Sequence, residues 1–267
     1  WNEPMTMRVI VAGATGWTGS AVARAVLASE DLVLAGAVAR SSAGRDLGEA
    51  LGGSTFGVTV VATVEEALRA GADVLVDYTA PQAVKANALA AISSGVAVVI
   101  GTSGLSAEDY AEIDAAARAK FVGAFAAGNY SITATLMTKF ALMAAKYVAD
   151  VEVIDYASAT KPDTPSGTAR DLAERRSSVP ATSKPVGELG GIRETRGGTV
   201  GAVQVHSLRM PGYVLSCEAQ FGAPGERLLI RHDAGSDAAP YVAGTLLAVR
   251  RVRVPAGLRR GLDLLND

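Results

Sequence analysis

Met7-Arg-Val-Ile-Val-Ala12-Gly13-Ala-Thr15-Gly16-Trp17-Thr18-Gly19 is the stretch that decides the fold. Residues 7–12 form a short apolar run of the kind buried in a parallel sheet. The run passes into a G-x-x-G-x-x-G turn and then into a helical pattern through Leu27. Strand, glycine-rich turn and helix, in that order, make the phosphate-binding start of a dinucleotide fold. Gly13 permits the tight turn, Gly16 lets the backbone approach a pyrophosphate, and Gly19 allows close helix–strand packing. Candidate cofactor contacts in this turn are Gly13, Thr15, Gly16, Trp17 and Thr18. The spacing departs from the commoner G-x-G-x-x-G, so its setting between strand and helix carries the reading.

A second strand, residues 32–38, ends at Ala39-Arg40-Ser41-Ser42. Folds of this type read the adenosine ribose there, with an acidic side chain for the 2′-hydroxyl of NAD or an arginine for the 2′-phosphate of NADP. Ala39 stands where the acid would be and Arg40 follows, so the expected cofactor is NADPH, with NADH possible. Further units repeat downstream. Strand 74–77 leads to a helix over 82–93, strand 97–100 to a helix opened by Ser106 and Asp109, and strand 121–126 to Ala127-Gly-Asn129. Strands alternating with helices predict an α/β, Rossmann-type, doubly wound parallel sheet. Ligands of such sheets sit beyond the carboxyl ends of the strands, where Thr79, Gly101, Thr102, Ala127 and Asn129 fall.

Composition bounds the remainder. The 267 residues are 49% apolar with a formal net charge of −2, which suits one large or two smaller compact domains and gives no reason to expect nucleic acid or an anionic membrane. Cys217 is the single cysteine, which fits a reducing, cytoplasmic setting, and two histidines, His206 and His232, make a zinc site a poor expectation. No apolar run reaches the roughly 18–20 residues of a membrane span. Residues 1–6 read as an extension, with no signal peptide before the first strand.

The other informative stretch is Lys161-Pro-Asp-Thr-Pro-Ser166-Gly167-Thr168-Ala169. It lies between a strand at 151–154 and a helix at 169–176. Thr164 suits an N-cap and Pro165 the first helical position, which would leave the amides of Ser166, Gly167 and Thr168 pointing out of the first turn. With Lys161 beside it, that turn is an anion site for a carboxylate or phosphate.

Gly13-x-x-Gly16-x-x-Gly19, Asp77-Tyr-Thr-Ala-Pro81, Gly101-Thr-Ser-Gly104, Asn129-Tyr-Ser-Ile132 and Lys161-Pro-Asp-Thr-Pro-Ser-Gly-Thr168 together resemble the dihydrodipicolinate reductases of lysine biosynthesis. The resemblance spans nearly the whole chain, through Gly225-Glu-Arg-Leu-Leu-Ile-Arg-His232 and Gly244-Thr-Leu-Leu-Ala-Val-Arg250, and its ending is most similar to actinobacterial members. It implies reduction of a cyclic, imine-conjugated dicarboxylate by NADH or NADPH. Lys161, Ser166, Gly167 and Thr168 would hold a substrate carboxylate, and Thr79, Gly101, Thr102, Ala127 and Asn129 would line the nicotinamide and its ribose. It also implies a dinucleotide-binding domain over 7–129 and 241–267. A second, α+β domain with a mixed sheet, for substrate binding and oligomerisation, would occupy 130–240 and build a homotetramer.

One departure stands out. The family has Glu-x-His-His six residues before the lysine, whereas this chain reads Asp155-Tyr156-Ala157-Ser158. Neither Ala157 nor Ser158 can supply an imidazolium, and general acid catalysis is worth roughly a hundred- to ten-thousand-fold. Lys161 becomes the catalytic candidate, for charge stabilisation or proton donation. Tyr156 falls on the opposite strand face from Asp155 and Ala157, and Asp163 reads as a loop-shaping residue. The polar connection at 177–198 carries Pro180, Pro185 and two candidate anion contacts, Arg193 and Arg196; strands follow at 199–209, 213–221 and 227–232, with His206 on the first. The expected function is an NADPH-dependent reductase of this type with an altered substrate. The alternatives are the lysine-pathway reductase itself and a non-catalytic NADPH-binding homologue.

Overall fold

A computed structural model describes residues 6–180, 187 and 190–262. Residues 1–5, 263–267 and, within the polar connection, 181–186 and 188–189, Pro185 among them, lie outside it. The chain forms two compact units, one from Ile132–Asp237 and one from the chain on either side of it.

In the first unit, chain order is β1 (Met7–Ala12), α1 (Trp17–Leu27), β2 (Leu32–Val38), α2 (Leu47–Ala50), β3 (Val60–Val61), α3 (Val64–Leu68), β4 (Val74–Asp77), α4 (Pro81–Ser93), β5 (Ala97–Ile100), α5 (Ala107–Ala119) and β6 (Gly123–Ala126). The chain returns to this unit for α8 (Ala239–Arg251) and β12 (Gly257–Arg260). Seven strands pair in the order β12-β6-β5-β4-β1-β2-β3, every pair parallel. Alternation divides each strand between two faces. Ile10, Leu75, Val98 and Ala124 pack with Ala67 of α3, Val84 and Ala88 of α4 and Ile113 of α5. Helix α1 packs on β1 and β2, and α8 packs on α1 and β5. The sheet is therefore doubly wound, and burial on both faces explains why its strands read as unbroken apolar runs. Each fully buried Val, Ile or Leu stabilises by about 1.5–3 kcal/mol. Helix α5 starts with a capping box, Ser106 Oγ accepting from the Asp109 amide and the Asp109 carboxylate from the Ser106 amide. The strand read at 121–126 begins only at Gly123, because the chain turns at Phe121 (φ 56°).

The second unit carries α6 (Ile132–Ala144), β7 (Asp150–Ala157), α7 (Gly167–Ser177), β8 (Gly198–Val200), β9 (Val203–Arg209), β10 (Leu215–Ala223) and β11 (Glu226–Ala234). Its five-stranded sheet runs β11-β10-β7-β9-β8; β7 and β9 are parallel and the other pairs antiparallel, so the sheet is mixed. Val153, Val205, Cys217, Ala219 and Phe221 face Met137 and Ala141 of α6 and Leu172 of α7. Burial pushes the Cys217 thiol up to about 12, as befits a core residue. Residues 199–209 are not one strand. The chain reverses at Gly201-Ala202, where the Ala202 amide donates to Ser177 Oγ at 2.8 Å, and β8 pairs back on β9.

Candidate functional site

The glycine turn after β1 is held from behind. The Gly13 and Ala14 amides both donate to the Val38 carbonyl, at 2.9 and 3.1 Å, and the Gly16 amide closes the turn onto the Gly13 carbonyl at 2.9 Å. Gly13 has φ +79°, and a Cβ there would stand 2.3 Å from the Tyr78 carbonyl oxygen. A Cβ on Gly19 would stand 2.1 Å from the Gly13 carbonyl oxygen, so α1 lies as close to the turn as backbone allows. Helix α1 has Gly16 as its N-cap, with no side-chain cap and no acidic residue in its first turn. Its first amides and positive dipole end suit a pyrophosphate. Thr15 and Thr18 belong to this turn, while Trp17 is 59% exposed and meets Tyr241 edge-on at 5.7 Å. Beyond β2, Ala39 leads into a 3₁₀ turn (Arg40–Ser42) that leaves Arg40 exposed. A pyrophosphate and a nicotinamide dinucleotide fit these groups.

At the ends of β4 and β5 the structure builds a hub that the sequence reading did not assign. The Asp77 carboxylate is fully buried and accepts from the Thr79 amide (2.9 Å), Thr79 Oγ1 (2.7 Å), Thr102 Oγ1 (2.8 Å) and Asn87 Nδ2 (2.8 Å). Its main-chain oxygen accepts from the Gly101 and Thr102 amides at 2.9 and 3.2 Å. Thr79, Gly101 and Thr102 thus form one connected rim. Ala127 and Asn129 follow β6, the Asn129 side-chain oxygen accepting from the Ser131 amide at 2.8 Å, and buried Tyr130 donates to the Ile100 carbonyl at 2.7 Å. Burial pushes the Tyr78 phenol well up, which makes it a poor acid.

In the second unit, Lys161, Ser166, Gly167 and Thr168 share the loop between β7 and α7. Thr164 is not the helix cap. Helix α7 starts at Gly167 with Ser166 as N-cap, and the helix ladder opens with the Arg170 amide donating to the Ser166 carbonyl at 2.9 Å. The Ser166 amide does not point outward either. It donates to Asp155 Oδ2 at 2.8 Å, a buried pull that delays the helix by two residues relative to the proline signal. Asp155 Oδ2 also accepts from Ser207 Oγ (3.1 Å) and Arg209 Nη2 (2.7 Å). Arg209 Nη2 reaches the Asp163 carbonyl as well, at 2.6 Å, joining β7, β9 and the loop. Lys161 Nζ pairs with Asp163 Oδ1 at 2.8 Å. Burial raises the Asp163 carboxyl and the adjacent ammonium more than offsets it, leaving the group below its usual value. Outside this network α7 carries no side-chain cap and no acid in its first turn, and the space beyond Gly167 is open. An uncapped helix start with a partly exposed ammonium on the same loop has the charge and the first-turn amides that suit an anion. Ser166 Oγ, Asp155 Oδ1 and Arg209 Nε are buried and find no hydrogen-bond partner among the described residues.

Other polar residues noted in the sequence lie elsewhere. His206 Nε2 bonds Glu152 at 2.8 Å, and Arg196 pairs with the same carboxylate. Glu152 lies on the opposite face of β7 from Asp155, so Glu152 and His206 face away from Ser166. Tyr156 shares the face of Glu152, its ring under the Arg231 guanidinium at 4.8 Å. Ala157 is buried at the end of β7, and Ser158 Oγ bonds Thr160 Oγ1 at 3.2 Å. Asp155 and Arg209 were the missed members. Their pairing follows from the parallel β7–β9 register, Asp155 opposite Ser207, which no local pattern reveals. Among the described residues no cluster of metal-ligating side chains occurs, and no helix is long and apolar enough to cross a membrane.

The family model "Dihydrodipicolinate reductase, N-terminus" matches residues 7–130 and its C-terminus counterpart matches 133–265. The chain is 41% identical over 261 residues to a 4-hydroxy-tetrahydrodipicolinate reductase from Desulfitobacterium hafniense, covering 96% of this chain and 97% of that one. It is 40% identical over 265 residues to the enzyme of the same name from Thermosynechococcus vestitus, covering 96% of each. A dipicolinate-bound dihydrodipicolinate reductase from a Paenisporosarcina species superposes with a TM-score of 0.85 at 28% identity, over 97% of this chain and 99% of that one.

Proposed function

The chain belongs to the dihydrodipicolinate reductase family, an NAD(P)H-dependent oxidoreductase group, and we propose that it is a 4-hydroxy-tetrahydrodipicolinate reductase. The observation that carries the reading is the uncapped, acid-free start of α7 beside Lys161. It suits a small carboxylate, and the similar Paenisporosarcina structure holds dipicolinate. In this reading the first unit binds the cofactor through Gly13, Thr15, Gly16, Trp17, Thr18 and Arg40, with Thr79, Gly101, Thr102, Ala127 and Asn129 toward the nicotinamide. The second binds substrate through Lys161, Ser166, Gly167 and Thr168. The exposed Arg40, with no acid at Ala39, favours NADPH over NADH.

A bound reduced nicotinamide supplies the hydride. The α7 amides orient the substrate carboxylate, and the Lys161 ammonium neutralises charge that develops on the reduced substrate and is the candidate proton donor of the loop. Orientation and fixed charge carry much of such a reaction. Assembly is a homotetramer, through the sheet face that carries Glu152 and His206. That face borders a cavity of about 710 Å³ and continues to Leu229, 54% exposed. A cytoplasmic location and the actinobacterial type complete the reading.

A second reading is favoured by Ala157 and Ser158, which leave no imidazole at the end of β7: the same machinery reduces a different imine- or carboxyl-conjugated substrate. NADPH oxidation with the lysine-pathway intermediate generated in situ separates the two, comparing wild type with Ala157→His/Ser158→His. Wild-type turnover supports the pathway enzyme. Tight NADPH binding without turnover, with activity gained by the double variant, overturns it in favour of the altered substrate.

A further inference from the structure

Asp77 is a buried carboxylate with no cation beside it among the described residues. Such a group is expensive to keep unless hydrogen bonds replace its hydration, and here four donors do so. The arrangement has a consequence for the rim. A carboxylate only accepts, and a hydroxyl owns one hydrogen. At 2.7 and 2.8 Å from Asp77 Oδ1, the hydroxyls of Thr79 and Thr102 are therefore the donors. The amides of Thr79, Gly101 and Thr102 are likewise turned onto Asp77. Every donor of these three residues is committed inward. What the two hydroxyls have left is lone pairs: Thr79 shares one with Asn87 Nδ2 at 3.3 Å, and the second contact of Thr102, at 3.3 Å, is again to Asp77, through its main-chain oxygen.

We infer that Asp77 is a positioning residue that makes the Thr79–Thr102 rim an acceptor-only surface, matched to the NH₂ group of the nicotinamide carboxamide. The inference rests on the reading that this rim faces the nicotinamide. A carboxamide has a donor end and an acceptor end, so an acceptor-only wall admits one of its two orientations. That fixes which end of the carboxamide meets the rim. The recognition is set by hydrogen direction rather than by shape, because Thr79 and Thr102 would be equally able to donate without the carboxylate behind them.

The probe is 3-acetylpyridine adenine dinucleotide phosphate, which replaces the NH₂ by a methyl group and retains the acceptor. Dissociation constants for it and for NADP⁺ are measured by calorimetric titration with wild type, Asp77→Asn and Thr102→Val. Wild type is expected to bind the analogue roughly 10- to 100-fold more weakly than NADP⁺, since an acceptor is left unpaired. The side-chain amide introduced by Asp77→Asn donates as well as accepts, freeing a threonine hydrogen to turn outward, so the ratio narrows to about threefold or less. Thr102→Val removes the acceptor, leaves Asp77 three donors and narrows the ratio by weakening NADP⁺ alone. Equal wild-type affinities, or a ratio unchanged in both variants, overturn the inference while leaving the cofactor reading intact. Failure of wild type to bind NADP⁺ at all overturns both.

Discussion

Arg209→Met perturbs the network that shapes the loop between β7 and α7, and its cost follows from two burials. The Asp155 carboxylate is 0% exposed and the Arg209 side chain 15% exposed, 2.7 Å apart. Removing one member of a buried pair strands the other charge and typically costs about 3–5 kcal/mol. The Ser166 amide and the Ser207 hydroxyl still reach Asp155 Oδ2, which puts the expected loss near the lower end, about 3 kcal/mol. For a chain of this length that is a fall of roughly 6–12 °C in Tm. The loop also loses the anchor on the Asp163 carbonyl, so KM for the carboxylate substrate rises while the Kd for NADPH holds. Urea unfolding followed by circular dichroism measures the stability term. Asp155→Asn/Arg209→Met removes the stranded charge and should recover more than about 1 kcal/mol relative to the sum of the single variants. A single-variant loss below about 1 kcal/mol, or an additive double variant, would refute the argument that the carboxylate depends on this guanidinium.

Gly19→Ala places a Cβ 2.1 Å from the Gly13 carbonyl, so α1 must move; a loss of about 1–3 kcal/mol together with abolished NADPH binding is expected, read by thermal melting and titration. Arg40→Ser should lower the NADPH-to-NADH preference in kcat/KM by at least about tenfold, and an unchanged ratio would remove Arg40 from cofactor choice. Burial lowers the His232 pKa below its usual 6.5, only partly opposed by Asp233. The unfolded chain then takes the proton first, so this contribution to stability is complete above pH about 6.5 and is lost as pH falls below it. His232→Gln should flatten the urea midpoint between pH 7 and 5, and an unaltered slope would show that another group carries it.

The first sheet was legible because its signals are local. Gly13 and Gly19 need backbone room that no other residue leaves, and apolar runs of four to six residues mark strands covered on both faces. The mixed sheet came less cleanly. Strand alternation correctly separated Tyr156 from Asp155, yet the reversal at Gly201-Ala202 depends on Ser177, which lies 25 positions away. The helix start was misplaced for a similar reason. Proline and threonine propensities act within a turn, whereas the Ser166 amide answers to Asp155 across 11 residues and Asp155 to Arg209 across 54. The Asp77 hub gathers Thr79, Asn87 and Thr102 from three segments, and the sequence shows only that those residues exist.

The seven-stranded sheet ends on β12, which pairs with β6 although 131 positions separate Ala126 from Gly257. During synthesis at about 5–20 residues per second, β6 would wait roughly 7–26 s for its neighbour. Over that interval six of the seven strands have emerged and the outer edge at β6 offers unpaired amides and carbonyls. The intervening unit, with its own sheet, is complete before the edge is covered. A ribosome stalled short of Gly257 therefore displays a finished insert on an unfinished host, and chaperone dependence should concentrate in that window of translation rather than in the released chain.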